Sequence, residues 1–333
     1  MASKDFDAME DSNRSANPSI HDVSDPARRA VLRGTLGMAA AALYGPMVAG
    51  CAAPGARRDM PAALAPSIGF KGVAVDASDK LLVAEGSIAS VIAAWGEPIG
   101  VPGNMPVFKP DGSNSAAEQS VQMGMHHDGM EYFPLNGNSS TRGLLAMNHE
   151  YTDDGLLHVG GFANMNADKV KKSQAAHGLS VIEVELKDNA WQMVRPSRYA
   201  KRLPMDLPFE VRGPAAGHAL MKTAADPDGT RVLGTLNNCA ASKTPWGTYL
   251  SGEENFMFYF GGGDTISDHH KRWGLRKDGF YQWEKFDPRF DAAKNPNEPN
   301  RFGWVVEIDP YDPSATPVKR TALGRAAHEG AWV

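Results

Sequence analysis

Cysteine is nearly missing: the 333 residues contain only Cys51 and Cys239. Cys51 lies in an Ala- and Gly-rich N-terminal run, so the body of the chain has one thiol and no internal disulfide. The CxxC and HExxH spacings are absent too, which disfavours zinc. There is no basic excess. A formal net charge of −5 gives no footing for nucleic acid as a partner, which would need a basic stripe. No segment reads as a long helix. The extended apolar run Gly34 to Gly50 is too weakly hydrophobic for a membrane span, which takes ~20 residues. What remains is 42% hydrophobic with 34 glycines and 23 prolines. That is ample for a buried core and weighted towards turns, hence all-β rather than a helix bundle.

Only the N-terminal region departs from globular composition. Residues 1–27 are polar and read as disordered. Then Arg28-Arg29 and Arg33 precede the Gly34 to Gly50 run, an arrangement that resembles a twin-arginine export signal; the bland alternative is a chance Arg-Arg pair. Val48-Ala49-Gly50-Cys51 resembles a lipoprotein processing box, with Cys51 diacylated. Ordinary cleavage near Ala52-Ala53-Pro54 is the other reading. The expected organisation is a signal region 1–51, a Pro/Ala linker 52–67 and a β domain 68–333. The protein is then expected outside the cytoplasm, periplasmic or lipid-anchored at the membrane. In such an oxidising compartment Cys239 is either buried and inert or held as a ligand.

Its surroundings favour the ligand. Leu236 to Phe256 collects Asn237, Asn238, Cys239, Lys243 and the adjacent carboxylates Glu253 and Glu254. The β-leaning run Arg231–Leu236 precedes it and Thr248–Ser251 reads as a second strand, so the polar group is expected on a loop between strands, with the glutamates where the second strand ends. Loops at strand ends are where a sheet protein holds its chemistry. The bland reading is a surface hairpin with solvated glutamates.

Taken in order, Lys71–Asp76 and Lys80–Ala84 alternate like strands, and Ile88–Trp95 is apolar. Met125–Leu135 and Gly143–Tyr151 make a hairpin closed by an Asn-Gly-Asn turn, which brings Asp128 and Asn148-His149-Glu150 to one end of a sheet. His126-His127 are ligands or, more ordinarily, surface residues. Leu179–Leu186 with Trp191–Val194, and Trp304–Ile308 with Pro317–Ala322, make two further hairpins. These echo one another: Val181-Ile182-Glu183-Val184 matches Val305-Val306-Glu307-Ile308. Gly143–Met147 and Gly247–Ser251 likewise each run into a glutamate followed by an aromatic. Loose repeats of short antiparallel strands suggest blades of a β-propeller, with a sandwich as the alternative. In a propeller Glu150 and Glu254 would face one axial cavity. The last residues, including His328-Glu329, form an apparent third acid cluster with no closing strand, which reads as a truncated chain.

The collected polar groups are Asp128, Asn148, His149, Glu150, Asn237, Asn238, Cys239, Glu253, Glu254, His328 and Glu329. Oxygen ligands suit calcium, and one thiolate among carboxylates admits a transition metal such as iron. Adjacent carboxylates repel unless cations neutralise them, so a multinuclear cation site fits better than an acid/base pair.

At this point the sequence resembles the PhoX-type alkaline phosphatases, from about Phe70 to Val333. The shared motifs are Phe70-Lys71-Gly72-Val73, Ala94-Trp95-Gly96, Asp128 to Leu135, Asn148 to Tyr151, Asn237-Asn238-Cys239 to Thr248, Glu253-Glu254-Asn255, Gly324-Arg325 and His328-Glu329-Gly330. The resemblance implies a six-bladed propeller, of which this chain is roughly the first half. It further implies iron and calcium on the axis and hydrolysis of small phosphomonoesters. Cys239, Glu254 and Glu329 would be catalytic and metal-bound, with Glu150, Glu253, Asn148 and Asn238 as further metal ligands, and Lys243 and Arg325 as phosphate contacts. The twin-arginine export machinery would be a partner, and a monomer is expected.

One departure stands out: Ala240-Ala241-Ser242 replaces the family's Ala-Gly-Gly, and would be strained if positive φ were required there. Other ligands of the family lie beyond residue 333, so this chain alone is expected to hold only part of the site. A calcium-dependent lactonase or esterase propeller, which would not need Cys239, and a non-catalytic scaffold propeller are the alternative functions.

Overall fold

The computed structural model describes residues 72–264 and 266–333. The twin-arginine segment, Cys51 and the linker lie outside the described residues, as does Lys71. Asp76–Val333 forms one compact unit. Among the described residues no helix is long and apolar enough to cross a membrane.

Two antiparallel meanders organise that unit. In the first sheet β1 (His127–Pro134), β2 (Arg142–His149), β3 (Gly178–Lys187) and β4 (Ala190–Met193) follow in order, and β5 (Lys201–Leu203) shares an edge of β3 with β4. The second sheet comprises β6 (Pro208–Arg212), β7 (Arg231–Leu233), β8 (Asn238–Lys243), β9 (Tyr249–Glu253), β10 (Val305–Ile308) and β11 (Val318–Arg320), ordered β7-β6-β11-β10-β9-β8. Every neighbouring pair is antiparallel except β6 with β11. The turns follow their chemistry: the β3–β4 hairpin closes on Asp188-Asn189, both left-handed at φ 51° and 61°, as a two-residue turn matched to strand twist demands.

Sheet faces join in one core that includes Phe133, Leu144, Val181, Phe209, Tyr249, Phe256 and Trp304. The meanders meet where β1 and β2 lie against β8. Gly129 of β1 is needed there, because a Cβ on it would sit 2.6 Å from both the Ala241 Cβ and the Cys239 carbonyl oxygen.

Three expectations change. Residues 72–95 contain no strand, so the readings at Lys71–Asp76 and Lys80–Ala84 fail over the described part; Val75, Leu81 and Val91 are exposed rather than paired. The stretch around Cys239 is strand β8, not a loop. Finally, Ala167–Ala176 is a helix, capped by the Asn166 side chain on the Asp168 and Lys169 N–H groups. Its buried face is small and mixed (Val170, Ala175, Ala176 and Lys172), too faint a period to read in advance.

Candidate metal centre

β8 carries the thiol into the site by way of an irregularity. Its register to β9 slips between Asn238 and Ala241, a bulge at Cys239-Ala240, and bulges re-aim side chains next to active sites. Asn237, just before the strand, is left-handed at φ 48°, and the Glu254 N–H donates to its carbonyl at 2.9 Å. Ala241 and Ser242 adopt no positive φ, so the replacement of two glycines there brings no strain.

Three side chains converge. One ligand atom each from Cys239, Glu254 and Glu329 lies within 4.8 Å of the others. Glu329 arrives on a segment laid along β9: the His328 N–H donates to the Glu253 carbonyl at 3.0 Å, and the His328 carbonyl accepts from Cys239 Sγ at 3.1 Å. Gly252 permits this approach, since a Cβ there would meet the His328 oxygen at 2.8 Å.

Glu150 and Asp128 adjoin the trio. Burial, then a hydrogen bond and repulsion from Asp128, and the charges of Glu254 and Glu329, push Glu150 up to about 7. Repulsion from Glu254 also raises Glu329. Burial foremost, with Glu254, Glu329 and Glu150 adding, pushes the Cys239 thiol up to about 12. Four carboxylates and a thiol thus crowd together, and Lys243 and Arg325 are engaged elsewhere. Lys243 Nζ donates to the Tyr132 carbonyl and lies 5.0 Å from the Phe133 ring centroid. Arg325 donates to Phe302 and Pro299 carbonyls and packs on Trp273 and Phe256. Both were expected to contact phosphate; in this structure these carbonyls and rings are their partners.

Three expected ligands make hydrogen bonds within the fold. Glu253 is fully buried, takes Lys319 Nζ at 2.6 Å and the Thr235 hydroxyl at 2.9 Å on one oxygen, and the Gly303 and Trp304 N–H groups on the other. Asn238 bonds Thr235 and Ser251. Asn148 donates to the Cys239 and Ala240 carbonyls at 2.9 and 3.0 Å and accepts from the Tyr249 hydroxyl at 2.7 Å, so it fixes the bulge. His149 is buried with Nε2 2.9 Å from Ser180 Oγ, His126 stacks on Tyr151 at 3.7 Å, and His127 Nε2 lies 3.0 Å from the Gly124 carbonyl. Sequence reasoning missed Tyr249, Tyr259 and Lys319, for which no local pattern speaks. Tyr259 links the buried His177, 3.0 Å away, to Asn237 at 3.3 Å.

The residues present fit bound cations. Carboxylates forced together, and a thiol pushed up by burial and by their charges, are what a metal would reverse.

Comparison with known proteins gives two findings. The family model described as alkaline phosphatase PhoX matches residues 68–333. The solved structure of Pseudomonas fluorescens PhoX in complex with vanadate, a transition state analogue, is 48% identical, with a TM-score of 0.75 over 79% of this chain. The chain spans 45% of that structure's own chain. No curated protein matches.

Proposed function

The chain belongs to the alkaline phosphatase PhoX family, and we propose that it contributes a metal-dependent centre for hydrolysis of phosphomonoesters to inorganic phosphate. The observation carrying this is the convergence of Cys239, Glu254 and Glu329 within 4.8 Å, amid further carboxylates and without an engaged internal cation. Cys239 with Glu254 and Glu329 would hold iron, for which a thiolate among carboxylates is suited. Glu150 and Asp128, oxygen ligands only, would hold calcium. Bound cations supply positive charge that holds phosphoryl oxygens and stabilises the charge developing in transfer.

This chain's residues do the positioning. Asn148 pins the carbonyls of the bulge so that the Cys239 side chain is presented at a fixed angle. Gly252 admits the Glu329 segment, and the Glu253–Lys319 pair anchors β9 from the core side. The vanadate in the Pseudomonas relative favours phosphoryl transfer as the reaction here.

Two four-stranded meanders whose first strands meet beside the centre support the reading of them as blades of a β-propeller around an axis. The signal-like segment with Arg28 and Arg29 supports twin-arginine export, and Cys51 a lipid anchor. Lys at both arginines should then leave precursor in the cytoplasm, and Cys51→Ser should abolish lipid labelling.

The test is metal quantitation of the full-length protein alongside 4-nitrophenyl phosphate hydrolysis, before and after chelation. Iron and calcium with activity that chelation removes is the expected result. Metal-free protein at full activity would refute it.

A further inference from the structure

One flank of the centre carries a built cleft. Beside Glu150 and Asn237 lies a cleft of about 490 Å³, within the ~300–1,000 Å³ of small-molecule sites. Phe258, Phe280, Arg276 and Asp278 also line it. The wall is held by its own backbone: the Phe280 N–H donates to the Phe258 carbonyl at 2.8 Å, and the Gly262 N–H to the Arg276 carbonyl at 2.8 Å. Tyr281, which also lines the cleft, stacks on Tyr259 at 4.8 Å and 6°, with Trp283 packed on Tyr259 at 4.9 Å.

The Phe258 and Phe280 rings stand 6.3 Å apart and remain 41% and 67% exposed. A single exposed aromatic needs no explanation, but a paired set on the wall of a cleft leading to a reactive centre marks a binding surface. Arg276 is exposed in the same cleft and has no side-chain hydrogen bond or ion pair among the described residues. The phosphoryl group is not placed here, because the converging side chains that would hold cations for it lie at the neighbouring cluster of Cys239, Glu254 and Glu329. It belongs at the cation-holding cluster, which leaves this cleft for the organic half of the ester.

Resting on the phosphatase reading above, we propose that the cleft is the leaving-group subsite and selects planar aromatic or heteroaromatic phosphomonoesters. Phe258 and Phe280 offer ring surface to the leaving group, and Arg276 pairs with an anionic substituent on it. In turnover the ester P–O bond breaks, water supplies the new oxygen of phosphate, and a proton from water ends on the departing phenol or alcohol.

The experiment compares kcat/KM for 2-naphthyl phosphate and glycerol 2-phosphate in the metal-loaded full-length protein and its Phe280→Leu and Phe258→Leu variants, which keep apolar bulk but lose the ring. The ratio of the two substrates should fall about fivefold, the size of an aromatic pairing, mostly through KM for the naphthyl ester. Arg276→Ala should lower the preference for 4-carboxyphenyl phosphate over phenyl phosphate by a similar factor. Unchanged ratios, or equal losses on both substrates, would overturn the subsite while leaving the phosphatase reading intact. An unaltered protein that turns over none of these esters overturns both.

Discussion

Asp128 and Cys239 occupy corresponding places in two copies of one backbone arrangement. Each follows a left-handed residue by two positions, His126 at φ 46° and Asn237 at φ 48°. Each lies at a bulge in the first strand of a meander, where the register slips between His127 and Met130 and between Asn238 and Ala241. In each the left-handed residue's carbonyl accepts from a glutamate N–H, Glu150 at 3.1 Å and Glu254 at 2.9 Å. One design therefore delivers an oxygen pair, Asp128 with Glu150, and a sulfur-oxygen pair, Cys239 with Glu254, to neighbouring positions. The difference between the pairs is the chemical basis for assigning hard and softer cations to them.

Glu253 and Glu254 should behave oppositely on mutation. Glu253→Gln strands Lys319 as an uncompensated charge in the core, which costs about 3–5 kcal/mol, so melting temperature should drop steeply while folded protein retains its metal. The double variant Glu253→Met with Lys319→Met should recover part of that stability. Metal loss at unchanged melting temperature would instead make Glu253 a ligand.

Much of this was readable in advance, and the failures have reasons. The hairpins β1–β2, β3–β4 and β10–β11 carry alternation and turn residues. The company of Cys239 with acids followed from the echo of Glu150 in Glu254 and from family likeness. What could not be read was phase. Neighbours in a strand face opposite ways, so one glutamate of the pair enters the core and the other the site, and only the burial of Lys319 decides which. Strand β8 was hidden because Asn, Cys, Ala and Ser carry little β preference; pairing to β9 imposes the strand. The rings of Trp273 and Phe256 against Arg325, and of Phe133 against Lys243, could not be read from the sequence either.

Acid should unfold the protein through buried histidine. Burial lowers His177 to about 4, and its two ring nitrogens face the Ser173 carbonyl and the Tyr259 hydroxyl. The unfolded chain, with histidine near 6.5, binds the proton more readily. Stability therefore falls as pH drops from about 6.5 towards 4, by about 3 kcal/mol from this group. Urea unfolding of His177→Gln should show a shallower decline over that window. An unchanged slope would assign the acid sensitivity elsewhere.

Gly252→Ala should loosen the centre more than the fold. The added Cβ meets the His328 oxygen at 2.8 Å and the His328 Cβ at 2.9 Å, displacing the segment that carries Glu329. Metal retained after dialysis should fall severalfold, while overpacking at this edge costs about 1–3 kcal/mol. Wild-type metal retention would show that Glu329 does not depend on this approach.

The central claim is that Cys239 is a metal ligand, and Cys239→Ser in the full-length protein tests it most directly. A hydroxyl holds iron far less well than a thiolate, while carboxylates go on holding calcium. Elemental analysis should therefore show iron sharply reduced, calcium reduced less and phosphatase activity lost, with the melting temperature nearly unchanged. Unchanged iron with a lowered melting temperature would contradict the account and make Cys239 a structural residue.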